Sequence, residues 1–299
     1  MYSTITISVN DGSITSSFTD NYASSAASLN VTTTRFHMGT SDASTAQMID
    51  NNLMLVGDDE NQALRLYNRQ NSGLPLKSFD FITSLGLTDI SGGQPREVDI
   101  EASSKVRNRI YWMGSHSNAS SGNTHPNLYR FFATDISGIG NTTTLSYIGR
   151  YDGLKTDLLT WDSNNGHGLG ANYLGLTASA ATGVIPEISD GSGFNIEGFE
   201  IAPNNTTAYI CFRAPLGNAT TRTKALIIPL TNFADLVRGN PTSTTATFGT
   251  SIQLDLGGRA IREMKKNNSS KYLIIADPHD GSTGTTPKIF VFIHGRGML

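Results

Sequence analysis

The apolar positions of this chain fall in short runs separated by turn-forming clusters, and almost nowhere at helical spacing. The runs are 53–56, 64–67, 110–113, 128–132, 208–212, 225–230, 272–276 and 289–293. They are rich in β-branched residues, Leu and aromatics, with Gly, Asn, Asp and Ser between them, which predicts strands. Fourth strands are expected at 76–81, 145–151 and 252–256, and a short turn of helix near 232–237.

The eight runs form four pairs, and the pairs recur. Each unit opens with a short segment: TSDAST, VDIEAS, FNIEGF or RAIREM. A second strand with a polar tail follows: LMLVGDDE, IYWMGSHS, YICFRAPL or YLIIADPH. Third strands come next, ALRLYNR, LYRFFATD, KALIIPL and KIFVFIH. From opening to tail the spacing is 16 residues for Asp42 to Asp58, 15 for Glu101 to His116, 16 for Glu197 to Arg213 and 15 for Arg262 to Asp277. A repeating unit of four strands predicts an all-β fold, a β-propeller of four-stranded blades forming one domain. The blade-like units lie near 42–81, 99–151, 195–256 and 260–297, with an insertion around 153–190 in the middle. Residues 1–40 read as a partial fifth blade, or as a strand, STITISVN, that closes the last one.

In a blade the first strand lines the axis, and consecutive strands run antiparallel. The start of strand one and the end of strand two therefore share a face. That gathers Asp42, Asp99, Glu101, Asn195, Glu197 and Arg262 from the openings, and Asp58, Asp59, Ser115, His116, Arg213 and Asp277 from the tails. Crowded carboxylates need cations, arginines or water to offset their repulsion. Two arrangements satisfy this. Asp99, Glu101 and Glu197 supply oxygen ligands for a hard cation such as calcium, or Arg213 and Arg262 pair with them in a salt-bridged ring. His116, at the mouth near Glu101, is the candidate catalytic base acting on a bound water; the alternative is a hydrogen-bonded loop histidine. Asp42, Asp58, Asp59, Ser115, Asn195, Arg213, Arg262 and Asp277 are the candidate ligand-binding residues.

Charge and composition narrow the partners. Net charge is −3 and only 16% of residues are charged, against roughly 25% in ordinary globular chains. With no basic stripe, nucleic acid is not an expected partner. No apolar stretch reaches the roughly 18 residues of a membrane-spanning helix. The hydroxyl-rich, weakly charged surface predicts an extracellular or periplasmic location, although MYSTITISVN shows no leader. The single cysteine, Cys211, rules out an internal disulfide and reads as a buried thiol. No G-x-S-x-G, HExxH, CxxC or GxxxxGK motif occurs.

Three segments in order carry a family resemblance: VDIEAS…IYWMGSHS, GFNIEGFEIAP…YICFRAPL…KALIIPL, and LDLGGRAIREM…YLIIADPHDG…KIFVFIHGRG. Together, over about 42–297, they resemble domain of unknown function 3616, a group of uncharacterised propeller-type proteins. The resemblance implies a propeller and no assigned activity. The chain is also similar, at fold level, to phytase-like esterase propellers. The expectation is a polar acidic mouth binding a small ligand, with a calcium-assisted hydrolase of esters, lactones or phosphoesters as its enzymatic form. The competing expectation is a non-enzymatic, self-associating surface protein.

Overall fold

The computed structural model describes residues 35–238, 244–267, 271–282 and the backbone of 288–293. Four antiparallel meander sheets follow one another along the chain. The first holds β1 (Ala43–Met48), β2 (Leu53–Asp58), β3 (Leu64–Asn68) and β4 (Lys77–Phe79). After α1 (Ile82–Leu85) and a small ribbon of β5 (Ile90–Ser91) and β6 (Gln94–Pro95) comes the second sheet. It comprises β7 (Ile100–Val106), β8 (Arg109–Gly114), β9 (Phe131–Ser137) and β10 (Thr144–Tyr151). The 153–190 insertion carries α2 (Leu154–Ser163) and α3 (Leu176–Ser179). The third sheet follows with β11 (Asn195–Ile201), β12 (Ala208–Ala214), β13 (Ala225–Leu230), α4 (Phe233–Leu236) and β14 (Ile252–Leu254). The fourth has three strands, β15 (Ala260–Lys266), β16 (Lys271–Asp277) and β17 (Lys288–Ile293).

Period-two alternation explains the packing. Along β12, Ala208, Ile210 and Phe212 enter one core with Phe131, Phe199 and Leu158. Tyr209 and Cys211 enter the next, with Ile261, Met264 and Tyr272. A strand buried on both faces must be apolar at every position, which is why YICF reads as a continuous run. A third core joins the first two sheets through Leu53, Leu55, Leu64 and Leu66 against Ile100, Ile110, Trp112 and Phe132. Trp112 is fully buried, with Nε1 donating to Thr134 Oγ1 at 2.9 Å. Cys211 is buried too, and burial pushes its thiol well above the ordinary value.

The first strands pack side by side in chain order, β1 on β7, β7 on β11 and β11 on β15. This is the arrangement of consecutive propeller blades. Side chains of the first strands also link sheets that are not consecutive. The Ser103 carbonyl of β7 accepts from Gln47 Nε2 of β1 at 2.8 Å and from Lys265 Nζ of β15 at 2.6 Å. Ser103 Oγ lies 2.7 Å from Thr45 Oγ1. The first and fourth sheets thus reach the same residue of the second. The expected closing strand STITISVN, and all but the first residue of IHGRGML, lie outside the described residues.

The remaining strand expectations differ mainly at their ends. The 128–132 run begins as a 3-10 turn (Pro126–Leu128) and becomes strand only at Phe131. The helix α2, ten residues long, was not foreseen; it buries Leu154 and Leu158 while keeping a weakly amphipathic sequence.

Candidate functional site

One irregularity recurs in the first strand of each of the four meander sheets. In β7, Ile100 pairs with Gly114 and Ala102 with Met113, so Glu101 is the extra residue of a β-bulge. In β11, Ile196 pairs with Phe212 and Gly198 with Cys211, leaving Glu197. In β15, Ile261 pairs with Ala276 and Glu263 with Ile275, leaving Arg262. In β1 the same count leaves Ser44. A second bulge in the third sheet, on β12, leaves Arg213. Bulges release a residue from the ladder and re-aim its side chain. Here they turn Glu101, Glu197, Arg262 and Arg213 toward one another.

The bulges also correct the unit alignment. Ser44, not Asp42, is the structural counterpart of Glu101; Asp42 corresponds to Asp99, each carbonyl accepting the N–H of the facing tail residue, Asp59 and Ser115 respectively.

The charges are arranged as two linked groups. Glu197 is buried and holds two guanidiniums, with Oε1 2.9 Å from Arg213 Nη1 and Oε2 3.0 Å from Arg262 Nε. Arg213 also meets Glu187 at 3.2 Å. Asn195 Nδ2 donates to Glu187 Oε1 at 2.7 Å and to Glu197 Oε1 at 3.3 Å. The second group is Asp99 and Glu101, two carboxyl groups close enough to act on each other, with Ser115 beside Asp99. Burial, the neighbouring carboxyl groups and Glu197 hold Glu101 well above the usual carboxylate range. Burial likewise raises Asp99 to about 7, with Asp59 adding to the shift. Asp59 itself is pushed up to about 6 by burial and by Asp42, Glu60 and Asp58. Both Asp99 and Glu101 keep part of their surface open to solvent. Asp99 takes a left-handed backbone, φ 57°, which a non-glycine residue adopts at some cost.

Of the two expected arrangements, the arginine pairing describes Glu197. Each of its oxygens meets one guanidinium. Among the described residues no group of three His, Cys, Asp or Glu side chains is placed to hold a metal ion.

The other expected residues have distinct placements. Asp58 is fully buried and organises its turn, accepting from Ser41 N at 3.0 Å, Glu60 N at 3.0 Å and Arg65 Nη1 at 3.4 Å. Asp42 is exposed. Asp277 stands among Arg262, Arg213 and Arg259, although burial raises its carboxyl above the ordinary value. Ser115 Oγ donates to Ser117 Oγ at 3.0 Å, and its carbonyl accepts Ile196 N at 2.9 Å, joining the second and third sheets.

His116 is completely buried, with Nδ1 2.8 Å from the Gly114 carbonyl and its ring stacked on Tyr129 at 6.3 Å. The charged groups that act on it are Lys155 and Arg130, not Glu101, and burial pushes it down to about 4. The expected nearness to Glu101 at the mouth therefore does not become a His–carboxylate pair; the ring is neutral and a weak base.

Sequence reasoning passed over Lys155, which stands against Tyr129 from α2. It also passed over Glu263, on β15, which burial raises to about 7 despite Lys265 at 3.4 Å. Neither falls at a repeat position that a unit alignment would flag.

No family model matches the chain, and no curated protein does. Solved structures match at low identity. Hydrazine synthase of Kuenenia stuttgartiensis is 9% identical, over 88% of this chain and 49% of that one, with a TM-score of 0.38. The C-terminal WD40 domain of Sif2 is 12% identical, over 87% and 48%, with a TM-score of 0.34. The Cps50 (Swd1) β-propeller domain of Myceliophteria thermophila is 6% identical, over 87% and 85%, with a TM-score of 0.34. The chain spans about half the length of the first two. Likeness at this level carries no argument about activity, so the functional reading rests on the site. Among the described residues no helix is long and apolar enough to cross a membrane.

Proposed function

We propose that the bulge residues at the inner-strand mouth form a small-ligand site with acid–base capability. The observation that carries this reading is the Asp99–Glu101 pair: two neighbouring carboxyl groups, raised by burial, beside two guanidiniums already tied to Glu197. Two such groups share a proton near neutral pH, so one is an acid while the other is a base. Arg262, about one-third exposed, is the cation open to an anionic or carbonyl group of the ligand. Asn195 Oδ1, buried and without a hydrogen-bond partner, is an acceptor aimed at an incoming donor. The finer form of the reading is a hydrolase of esters, lactones or phosphoesters, with the carboxyl pair moving the proton. Calcium enters it as a competitor for that proton at Asp99 and Glu101.

A chromogenic ester and phosphoester panel at neutral pH tests this, with Glu101→Gln and Asp99→Asn beside the parent chain. Loss of a proton-transfer group costs about 10²–10⁴-fold in rate; turnover unchanged in both folded variants would remove the mechanism. Thermal unfolding with EDTA and then calcium separates the metal form. A calcium-dependent rise in midpoint lost in Glu101→Gln places the cation at the pair, and no rise leaves the proton there.

A second reading has its own observation. On β16, Tyr272, Ile274 and Ala276 are buried, while Leu273 and Ile275 on the opposite face are 37% and 40% exposed. Exposed apolar side chains there, paired with Lys265 and Glu263 of β15, favour a binding or self-assembling surface protein. Concentration-dependent sedimentation, lost in Leu273→Ser/Ile275→Thr, is its expected signature.

A further inference from the structure

Independently of the inner-strand mouth, α2 brings a lysine into an apolar setting. Lys155 is 7% exposed. Its Nζ donates to Asn118 Oδ1 and to Tyr129 Oη, both at 3.1 Å. It sits 4.4 Å from the Tyr129 ring centroid and 5.3 Å from that of Phe194. Among the described ion pairs no carboxylate meets it. A buried ammonium is ordinarily held by a counter-charge; here it has two neutral acceptors and two ring faces. His116, stacked on the other partner of this amine, Tyr129, is neutral, and its Nε2 is buried without a partner. Since Nδ1 faces the Gly114 carbonyl, the ring proton belongs there and Nε2 keeps its lone pair.

We propose that Lys155 is a reactive amine that condenses with small aldehydes or ketones, in a site walled by Tyr129, Phe194 and Asn118. The neutral Nζ lone pair attacks the carbonyl carbon, and the carbonyl electrons pass to oxygen, which takes a proton from the Tyr129 hydroxyl. The nitrogen gives a proton back to Tyr129. The new hydroxyl then takes that proton and leaves as water as the C–O bond breaks and C=N forms, and the iminium N–H returns a proton to the Tyr129 oxygen. Amine and carbonyl become imine and water, with Tyr129 restored and no oxidant or reductant consumed. The setting supplies the free amine that this step needs. Burial, with no charged group opposing it, lowers Lys155 to about 8. At pH 7.5 roughly a quarter of such a group is unprotonated, against about a thousandth of an ordinary lysine.

The test treats the full chain with acetaldehyde and sodium cyanoborohydride, which traps the imine, and reads each lysine by peptide mass spectrometry across a pH series. Exposed Lys224 is the internal reference. Lys155 is expected to label at least about tenfold faster than Lys224 at pH 7.5. Labelling of Lys224 with none at Lys155, or one shared pH profile for the two, would overturn the proposal. Tyr129→Phe, its fold checked by circular dichroism, should slow Lys155 labelling several-fold and leave Lys224 unchanged. Equal Lys155 rates in that variant and the parent would overturn the proton transfer assigned to the hydroxyl.

Discussion

Glu101 and Glu197 occupy the same bulge position in consecutive sheets, yet they carry opposite electrostatic situations. Glu197 has a guanidinium on each oxygen. Glu101 has another carboxyl group, Asp99, and with burial this holds it well above the usual carboxylate range. One backbone device, repeated, thus produces an anchored anion and a protonatable acid side by side. The difference comes from what the neighbouring positions contribute: an arginine at the second bulge of the third sheet, and an aspartate before the bulge of the second.

Glu197→Gln keeps the side-chain shape and removes the charge that two arginines share. Arg213 retains Glu187, whereas Arg262 loses its only described ion-pair partner. Breaking a buried pair costs about 3–5 kcal/mol, and the remaining Glu187 contact and the partial exposure of Arg262 place the expected loss at the lower end. Urea unfolding should show the midpoint falling with the m-value unchanged. A loss below about 1 kcal/mol would mean that the guanidiniums find water or other partners at no cost.

Asp99 gives a pH dependence with a defined sign. Its carboxyl is raised in the folded chain, from 3.8 to about 7, so the native state holds a proton that the unfolded chain has released. Its contribution is fully present below pH ~4 and is lost as pH rises toward 7, with a slope of up to about 1.4 kcal/mol per pH unit. Buried His116, lowered to about 4, acts the other way, since the unfolded chain gains its proton first as pH falls below about 6.5. The two trends partly cancel in the parent. Asp99→Asn removes only the first, so its stability relative to the parent should improve as pH is raised from 4 to 7. Urea midpoints measured at intervals over that range check this, and a constant difference would show that Asp99 does not titrate there.

The strands and the polar residues at their inner ends were legible because burial on both faces forces long apolar runs, as in YICF and LMLV, and the polar signature recurs at a fixed offset. Three features were not legible. A bulge leaves no mark on the hydrophobic alternation around it, so nothing in the sequence singles out Ser44, in place of Asp42, as the counterpart of Glu101. Asp58 looks like its neighbour Asp59 in sequence, but only the turn geometry shows that its oxygens are spent on Ser41, Glu60 and Arg65. The direction of His116 depends on a left-handed backbone, φ 56°, which sets its ring against Tyr129. Local composition carries no trace of it.

Lys265 offers a test of the axis itself. It crosses from the fourth sheet to the Ser103 carbonyl of the second, and it is the cation nearest Glu263, at 3.4 Å. Lys265→Met keeps much of the aliphatic stem and removes the charge. The Ser103 carbonyl keeps Gln47 as a donor, so the loss falls mainly on Glu263, left buried without its cation. That carboxyl, already raised to about 7 with the lysine present, must rise further. The variant should therefore be destabilised by about 1–3 kcal/mol at pH 8, the cost of leaving a buried polar group unpaired, and by less at pH 5, where Glu263 is protonated. Adding Glu263→Gln to the variant should restore most of the loss at pH 8. A double variant no more stable than Lys265→Met alone would show that the lysine acts through its bond to Ser103, as a strut between the fourth and second sheets, and not as the counter-charge of Glu263.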